Sequence, residues 1–257
     1  MERAAFKQFA TLERTHWWFA GRRGLYLPLL AEVLRRDRGA TATDLSVMDV
    51  GCGVGGFLGP LAMFGRVVGL ELDEPSIAWC RDRGYPATAV ALSETLPVRP
   101  ASQDLVCLWD VIEHTPDDLP VLQEVRRSLK PGAHVAISVP AYPFLFANND
   151  RVAHHYRRYT RGSLVRSVKA AGLEVRKATY VNVWLSLLII PAVLLLKLKE
   201  RLFPIEEDQA SNISRRVPRP LNALLAWIFS SERHVLRHVN APFGHSLFLV
   251  ARRPPDA

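Results

Sequence analysis

The stretch Val47-Met48-Asp49-Val50-Gly51-Cys52-Gly53-Val54-Gly55-Gly56 decides the fold of this 257-residue chain. A short apolar run ends in a glycine-rich turn with an acid at its mouth. Glycines there can take positive φ and let backbone approach a ligand. A helix predicted over residues 57–64 would aim its first N–H groups into the turn. The turn alone leaves two readings open. Gly51, Gly53 and Gly56 also satisfy the G-x-G-x-x-G of a dinucleotide site, and Glu71, about twenty residues after Gly51, would serve as ribose acid in either case.

Asp49 separates the readings. Two residues before the first glycine, its carboxylate would face and repel a pyrophosphate, whereas S-adenosylmethionine (SAM) brings a sulfonium and an ammonium that an acid attracts. Asp49-x-Gly51-x-Gly53-x-Gly55 resembles motif I of the class I SAM-dependent methyltransferases, of the type 11/12 kind. Arg66-Val67-Val68-Gly69-Leu70-Glu71 resembles their second strand, whose final acid holds both ribose hydroxyls. Cys52 and Leu72 complete the cofactor set that this resemblance implies around the turn. A glycine-rich turn without a ligand and a NAD-dependent oxidoreductase are the competing readings.

Outward from the turn, strands alternate with helices, as in a parallel doubly wound α/β sheet. Strands are predicted over Leu45–Val50, Val67–Glu71, Ala87–Val90, Asp104–Trp109, Ala133–Val139, Leu173–Val181 and Gly244–Arg252. Asp73 should cap a helix running to Arg83 with Pro75 in its first turn, and Pro116 to Ser128 has helical spacing. Lys130-Pro131-Gly132 reads as a stop and turn, and Thr160 as the cap of a helix that Gly172 ends. The resemblance implies a Rossmann-like seven-stranded methyltransferase sheet with helices on both faces and a late hairpin partner. Three parts are expected: an N-terminal helical lid over 1–40, a SAM-binding core over 41–181 and 241–257, and an apolar helical insertion over 182–240 between strands six and seven.

Composition bounds the partners. With 49% hydrophobic residues the chain can bury a full core. Cys52, Cys80 and Cys107 lack metal spacing and fit reduced thiols, and no metal site is expected. Met1 to Ala20 carries charges and Trp17-Trp18 in place of an apolar leader, so a cytoplasmic location is expected. Lysine and arginine number 33 against 25 acids, a net charge of +8 that calls for anionic partners. No nucleic-acid module is recognisable. The basic residues bracket apolar segments instead: Arg157, Arg158, Arg161 and Arg166, then Lys197, Lys199 and Arg201, then Arg215, Arg216 and Arg219. That pattern suits the inner face of an anionic membrane, with solvated charged faces as the plain alternative.

The insertion opens with a largely apolar segment of 18 residues, Val181 to Leu198, at the lower edge of the ~20 that a spanning helix needs. A single crossing would leave strand seven on the wrong side, so both apolar segments are expected to lie in the interface or roof an acyl groove, with Trp184 and Trp227 at headgroup level. A homodimer through the insertion is the alternative.

Further motifs extend the resemblance. Glu94-Thr95-Leu96-Pro97-Val98 resembles the turn beside adenine; Ala91 and Leu92 stand where the family usually has an acid, which leaves adenine to backbone and Ser93. Leu108-Trp109-Asp110-Val111-Ile112-Glu113-His114 resembles the post-strand-four motif of quinone and lipid methyltransferases. It implies Trp109 and Asp110 near the sulfonium, with His114 as a base or a loop tie. His16-Trp17-Trp18-Phe19-Ala20-Gly21-Arg22-Arg23 and the segment from Asn149-Asp150 through His155-Tyr156-Arg157-Arg158-Tyr159-Thr160 are similar to bacterial methyltransferases found among genes for surface glycans and polyprenyl-linked sugars. Trp18 could close over the methionine end of SAM while Arg22 meets its carboxylate; a packing helix is the other reading.

The segment after strand five is where class I methyltransferases usually place acceptor groups. His155, oriented by Asp150, is the candidate base for a hydroxyl, since histidine titrates near neutral pH. Tyr156, Arg157, Arg158 and Tyr159 are the candidate acceptor contacts, the arginines for a phosphate or carboxylate, against a reading of Arg157 and Arg158 as cap and salt-bridge residues. The expected function is O-methylation of a small-molecule, lipid or lipid-linked glycan acceptor at the membrane surface. A non-enzymatic adaptor that keeps a SAM fold is the alternative.

Overall fold

A computed structural model of the chain describes residues 12–39, 43–85, 87–202 and 217–255. The start of the expected lid and the middle of the insertion, including Arg215 and Arg216, lie outside the described residues. The strands are β1 (Leu45–Val50), β2 (Gly65–Glu71), β3 (Thr88–Val90), β4 (Gln103–Trp109), β5 (Leu129–Pro140), β6 (Glu174–Val181) and β7 (Ser246–Arg252). They form one sheet in the order β3-β2-β1-β4-β5-β7-β6, with β7 antiparallel to both of its neighbours. This is the seven-stranded arrangement expected, hairpin partner included. β1 is almost wholly buried, which is why a near-continuous apolar run codes it. Strand order turns back between β1 and β4, and in such sheets the crevice for a ligand opens there, beyond the carboxyl ends of the strands.

Among the described residues the sheet is accompanied by helices α1 (Trp17–Arg38), α2 (Leu58–Leu61), α3 (Glu74–Asp82), α4 (Leu119–Ser128), α5 (Asn148–Val152), α6 (Arg161–Ala170), α7 (Val183–Leu202), α8 (Arg219–Ser231) and α9 (Arg233–Leu236). The expected caps are present: Asp73 accepts from Ser76 N at 2.9 Å, Thr160 accepts from Ser163 N at 3.1 Å, and Gly172 takes φ +77° after α6. Three boundaries differ from expectation. The helix predicted over 57–64 shrinks to the four residues of α2, because Pro60 brings no N–H and Gly59 weakens the turn. It contributes no long dipole to the glycine turn. Lys130-Pro131-Gly132 lies inside β5; Gly132, at φ +76°, bulges the strand while its N–H bonds to Arg253 O. The helix expected from Pro116 begins at Leu119, whose N–H is taken by the side chain of Asp117.

The described part of the expected lid is a core element. Leu25, Tyr26, Leu30 and Leu34 of α1 are fully buried. Its other face holds the insertion: a Cβ on Gly21 would lie 2.6 Å from the Phe229 ring, and one on Gly24 2.8 Å from Ser230, so two glycines let α8 pack almost backbone to side chain. Asn222 ties the junction, accepting from Trp17 N and donating to Thr15 O. Glu232, buried at the end of α8, accepts from Trp184 N and anchors the start of α7. Among the described residues no helix is long and apolar enough to cross a membrane.

Candidate active site

The glycine turn begins where β1 ends. Gly51 and Cys52 donate to Leu70 O, Gly51, Gly53 and Gly55 all take positive φ, and a Cβ on Gly53 would meet nothing within 4 Å. Glu71, at the end of β2, clasps the turn: it accepts from Gly53 N at 2.8 Å, Leu72 N at 2.8 Å and Asp73 N at 3.2 Å. Asp49 sits between β2 and β4, opposite Gly69 and Cys107, and its Oδ1 is buried with no hydrogen-bond partner. Burial, then the charges of Glu13 and Glu71, hold its carboxyl well above the usual range. Glu13 comes from the segment before α1, sits against Gly56 and lies 3.6 Å from Arg83. Nothing in its sequence surroundings marks it. Cys52 and Cys80 pack beneath the turn as buried free thiols.

At the end of β4, Asp110 takes φ +56°, a strained backbone for a non-glycine residue. Its carboxylate receives Arg22 at 2.8 Å and the hydroxyl of Ser138 at 2.9 Å, and Arg22 also donates to Ser138 at 2.9 Å. The Arg22 guanidinium lies over the rings of Trp18, Tyr26 and Phe57, 5.4–5.9 Å from their centroids. Trp109 stacks between Phe57 and Tyr26, and its indole N–H is buried with no partner. Ser138 was not picked out in the sequence, although its place near the carboxyl end of a parallel strand was the signal for it.

Beyond β5, Asp150 is fully buried and takes three donors: Ala147 N, His155 Nδ1 and Arg158 Nε, at 2.9, 2.9 and 2.8 Å. Burial alone would raise its pKa, but these bonds and the Arg158 charge bring it down to about 2. His114 meets the His155 ring edge-on, 4.6 Å between centroids.

The family described as "Methyltransferase domain" matches residues 48–137. The chain is 31% identical over 170 residues to the "Probable S-adenosylmethionine-dependent methyltransferase" of Mycolicibacterium smegmatis, with 64% of this chain and 62% of that one covered. It is 30% identical over 168 residues to the ubiquinone biosynthesis O-methyltransferase of Paraburkholderia phymatum, covering 56% of this chain and 72% of that one. The chain belongs to the class I SAM-dependent methyltransferases. Its fold is also that of a Haloferax volcanii methyltransferase solved with an activator protein, at 19% identity and a TM-score of 0.60, with 99% and 96% of the two chains covered. The chain spans 38% and 62% of the length of two curated relatives that it matches.

The residues present fit the methyltransferase cofactor. Asp49, Glu71 and Glu13 place three carboxyl groups around the glycine turn, and the Asp49 carboxyl has an oxygen without a partner, conditions that suit a ligand with sulfonium and ammonium groups. Leu72 is exposed beside Glu71, and Ser93 bonds to Glu94 at 3.1 Å. Five sequence candidates have other partners here. Trp18 packs on Phe229 and His245, and Arg22 is held by Asp110 and Ser138. Arg158 is spent on Asp150. Arg157 donates to Thr115 O and Pro116 O, in place of an acceptor phosphate. Tyr159 donates to Asp118 at 2.9 Å within the core, while Tyr156 is exposed beside the histidines.

Proposed function

We propose that the chain transfers a methyl group from SAM to a hydroxyl oxygen of a small or lipid-linked acceptor, with the segment from Asp150 to Tyr159 on the acceptor side. When bound, SAM supplies an electrophilic methyl carbon. Asp49 and Glu71 would hold its cationic and ribose ends, and positioning supplies most of the rate of such a displacement. The observation that carries the reading is the pairing of His155 Nδ1 with a buried, doubly anchored Asp150. That bond fixes the ring and leaves Nε2 to receive the acceptor's proton. The name of the Paraburkholderia relative, an O-methyltransferase, supports the same chemistry. His155→Ala should keep SAM affinity by calorimetry while turnover on a catechol or polyprenyl-phenol probe falls by ~10²-fold or more. Lost SAM binding with normal turnover at saturation would move His155 to the cofactor side.

The acceptor's lipid character rests on the insertion. Leu187, Leu188, Leu194, Leu195, Leu198 and Leu202 recur at helical spacing along α7 and are all exposed, Leu188 by 73%, and Trp227 of α8 is 66% exposed. With Lys199 and Arg219 flanking this stripe, an anionic bilayer surface is the partner of matching chemistry, each basic residue adding on the order of 1 kcal/mol. Flotation with phosphatidylglycerol vesicles should recover the protein, with less recovered on neutral vesicles or in high salt. Equal recovery on both, or none on either, overturns surface docking; a salt-insensitive dimer in ultracentrifugation would assign the stripe to a second copy.

A further inference from the structure

We infer that Glu113, His114 and His155 form a binding site for a first-row divalent metal ion on the acceptor side of the cleft. One ligand atom from each lies within 4.8 Å of the others, a span that one ion at about 2.0–2.2 Å from each donor closes with small side-chain rotations. The donor set is two imidazoles and one carboxylate, a combination suited to first-row ions that keep positions open for water or substrate.

An independent observation points to a ligand there. Glu113 is 0% exposed, and neither of its carboxylate oxygens has a hydrogen-bond partner. A buried carboxyl left this way is a burden on the folded chain unless something meets it. The surrounding groups do not: Arg22 is held by Asp110 and Ser138, and Arg158 by Asp150. The geometry around His155 is that of a supported ligand. Its Nδ1 is bonded to Asp150, and a carboxylate on one ring nitrogen fixes the tautomer that presents the other to a metal. His114 is an exposed residue, which gives an ion a way in. The backbone holds the cluster together, since Tyr156 N donates to Glu113 O at 2.7 Å and ties the histidine segment to the turn after β4.

This site deepens the acceptor-side reading and rests on it for its role. With an ion in place, Nε2 of His155 is a ligand rather than the proton acceptor. A hydroxyl coordinated at an open position then ionises more readily and gives its proton to solvent. A vicinal diol or catechol, able to supply two oxygens, is the acceptor class that such an open position selects.

The test uses the untagged full chain, freed of metal with a chelator and dialysed. Titration with Mn2+, followed by loss of the free-ion electron paramagnetic resonance signal, and with Zn2+ by calorimetry should show one ion per chain. Glu113→Gln, nearly the same shape, and His155→Ala should each weaken binding by more than ~10²-fold, while His238→Ala, on the surface, should not. SAM calorimetry on the same variants shows that each is folded. Should His155→Ala fail to fold, Glu113→Gln alone decides. No ion bound by the parent at millimolar Mn2+ and Zn2+, or unchanged affinity in Glu113→Gln, overturns the site. Methyl transfer that persists in excess chelator and is lost in His155→Ala would keep the base reading while removing the metal.

Discussion

The glycine turn and the loop beyond β5 each bury one aspartate, and the two live in opposite electrostatic conditions. Asp49 is 1% exposed, has an oxygen without a partner and faces Glu13 and Glu71; Asp150 is 0% exposed and receives three donors. Burial followed by like charge pushes the first carboxyl up, whereas hydrogen bonds and a guanidinium bring the second down to about 2 against its burial. On the cofactor side the chain thus leaves the charged form of a carboxyl unmet, and a cationic ligand would favour that form. Asp150, on the acceptor side, is satisfied before any ligand arrives, and it holds its histidine by contacts internal to the chain.

The sharpest way to break this contrast is to remove the finished acid. Asp150→Ala leaves Arg158 buried without its partner and should lower unfolding free energy by about 3–5 kcal/mol, read by urea denaturation at pH 7. The pH dependence has a definite sign. Because the folded pKa of Asp150 lies below its ordinary value near 4, its contribution is present above that value and is lost as pH falls toward about 2. The parent should lose on the order of 2 kcal/mol more than Asp150→Ala across that window. Parallel stability curves for the two proteins would show that Asp150 is not the anchor described.

Next in size, Glu71→Ala removes an acceptor from the turn and from the ribose, and should weaken SAM by roughly 1.5–3 kcal/mol in calorimetry. Unchanged affinity would remove Glu71 from the cofactor site. The smallest effect has the most telling sign. Asp49 has a raised folded pKa, so its contribution to folding is full below its ordinary value and is lost as pH rises through the raised one. Asp49→Asn should therefore stabilise the SAM-free chain at pH 7–8 by on the order of 1 kcal/mol while weakening SAM binding. A variant that is less stable without SAM would show that the turn is not charge-strained, and the contrast with Asp150 would collapse.

The fold was largely legible because its signals are local. Val47 to Gly56 carries strand, turn and acid in one segment, and β1, α3 and α6 begin or end at capping or glycine residues written beside them. The errors came where a local signal met a tertiary one. Lys130-Pro131-Gly132 looks like a turn, but pairing with Arg253 extends the strand through it. Arg157 and Arg158 look like a fork for an acceptor anion, yet the nearby carbonyls and Asp150 were already unmet polar groups within reach. Asp150 and His155 could be paired from sequence because they are close along the chain. Glu13 against Gly56, and Glu113 beside His155, depend on how distant elements dock, and no spacing encodes that.

Gly21 and Arg22 are neighbours on one helix turn, the first against Phe229 of the insertion and the second against Asp110 at the cleft. The contact leaves no slack: a Cβ at residue 21 has nowhere to go, so a sideways push on α8 is borne by α1. The outward leucines of α7 and α8 and the Arg22 guanidinium are therefore separated by one close-packed contact, with residue 21 at the junction.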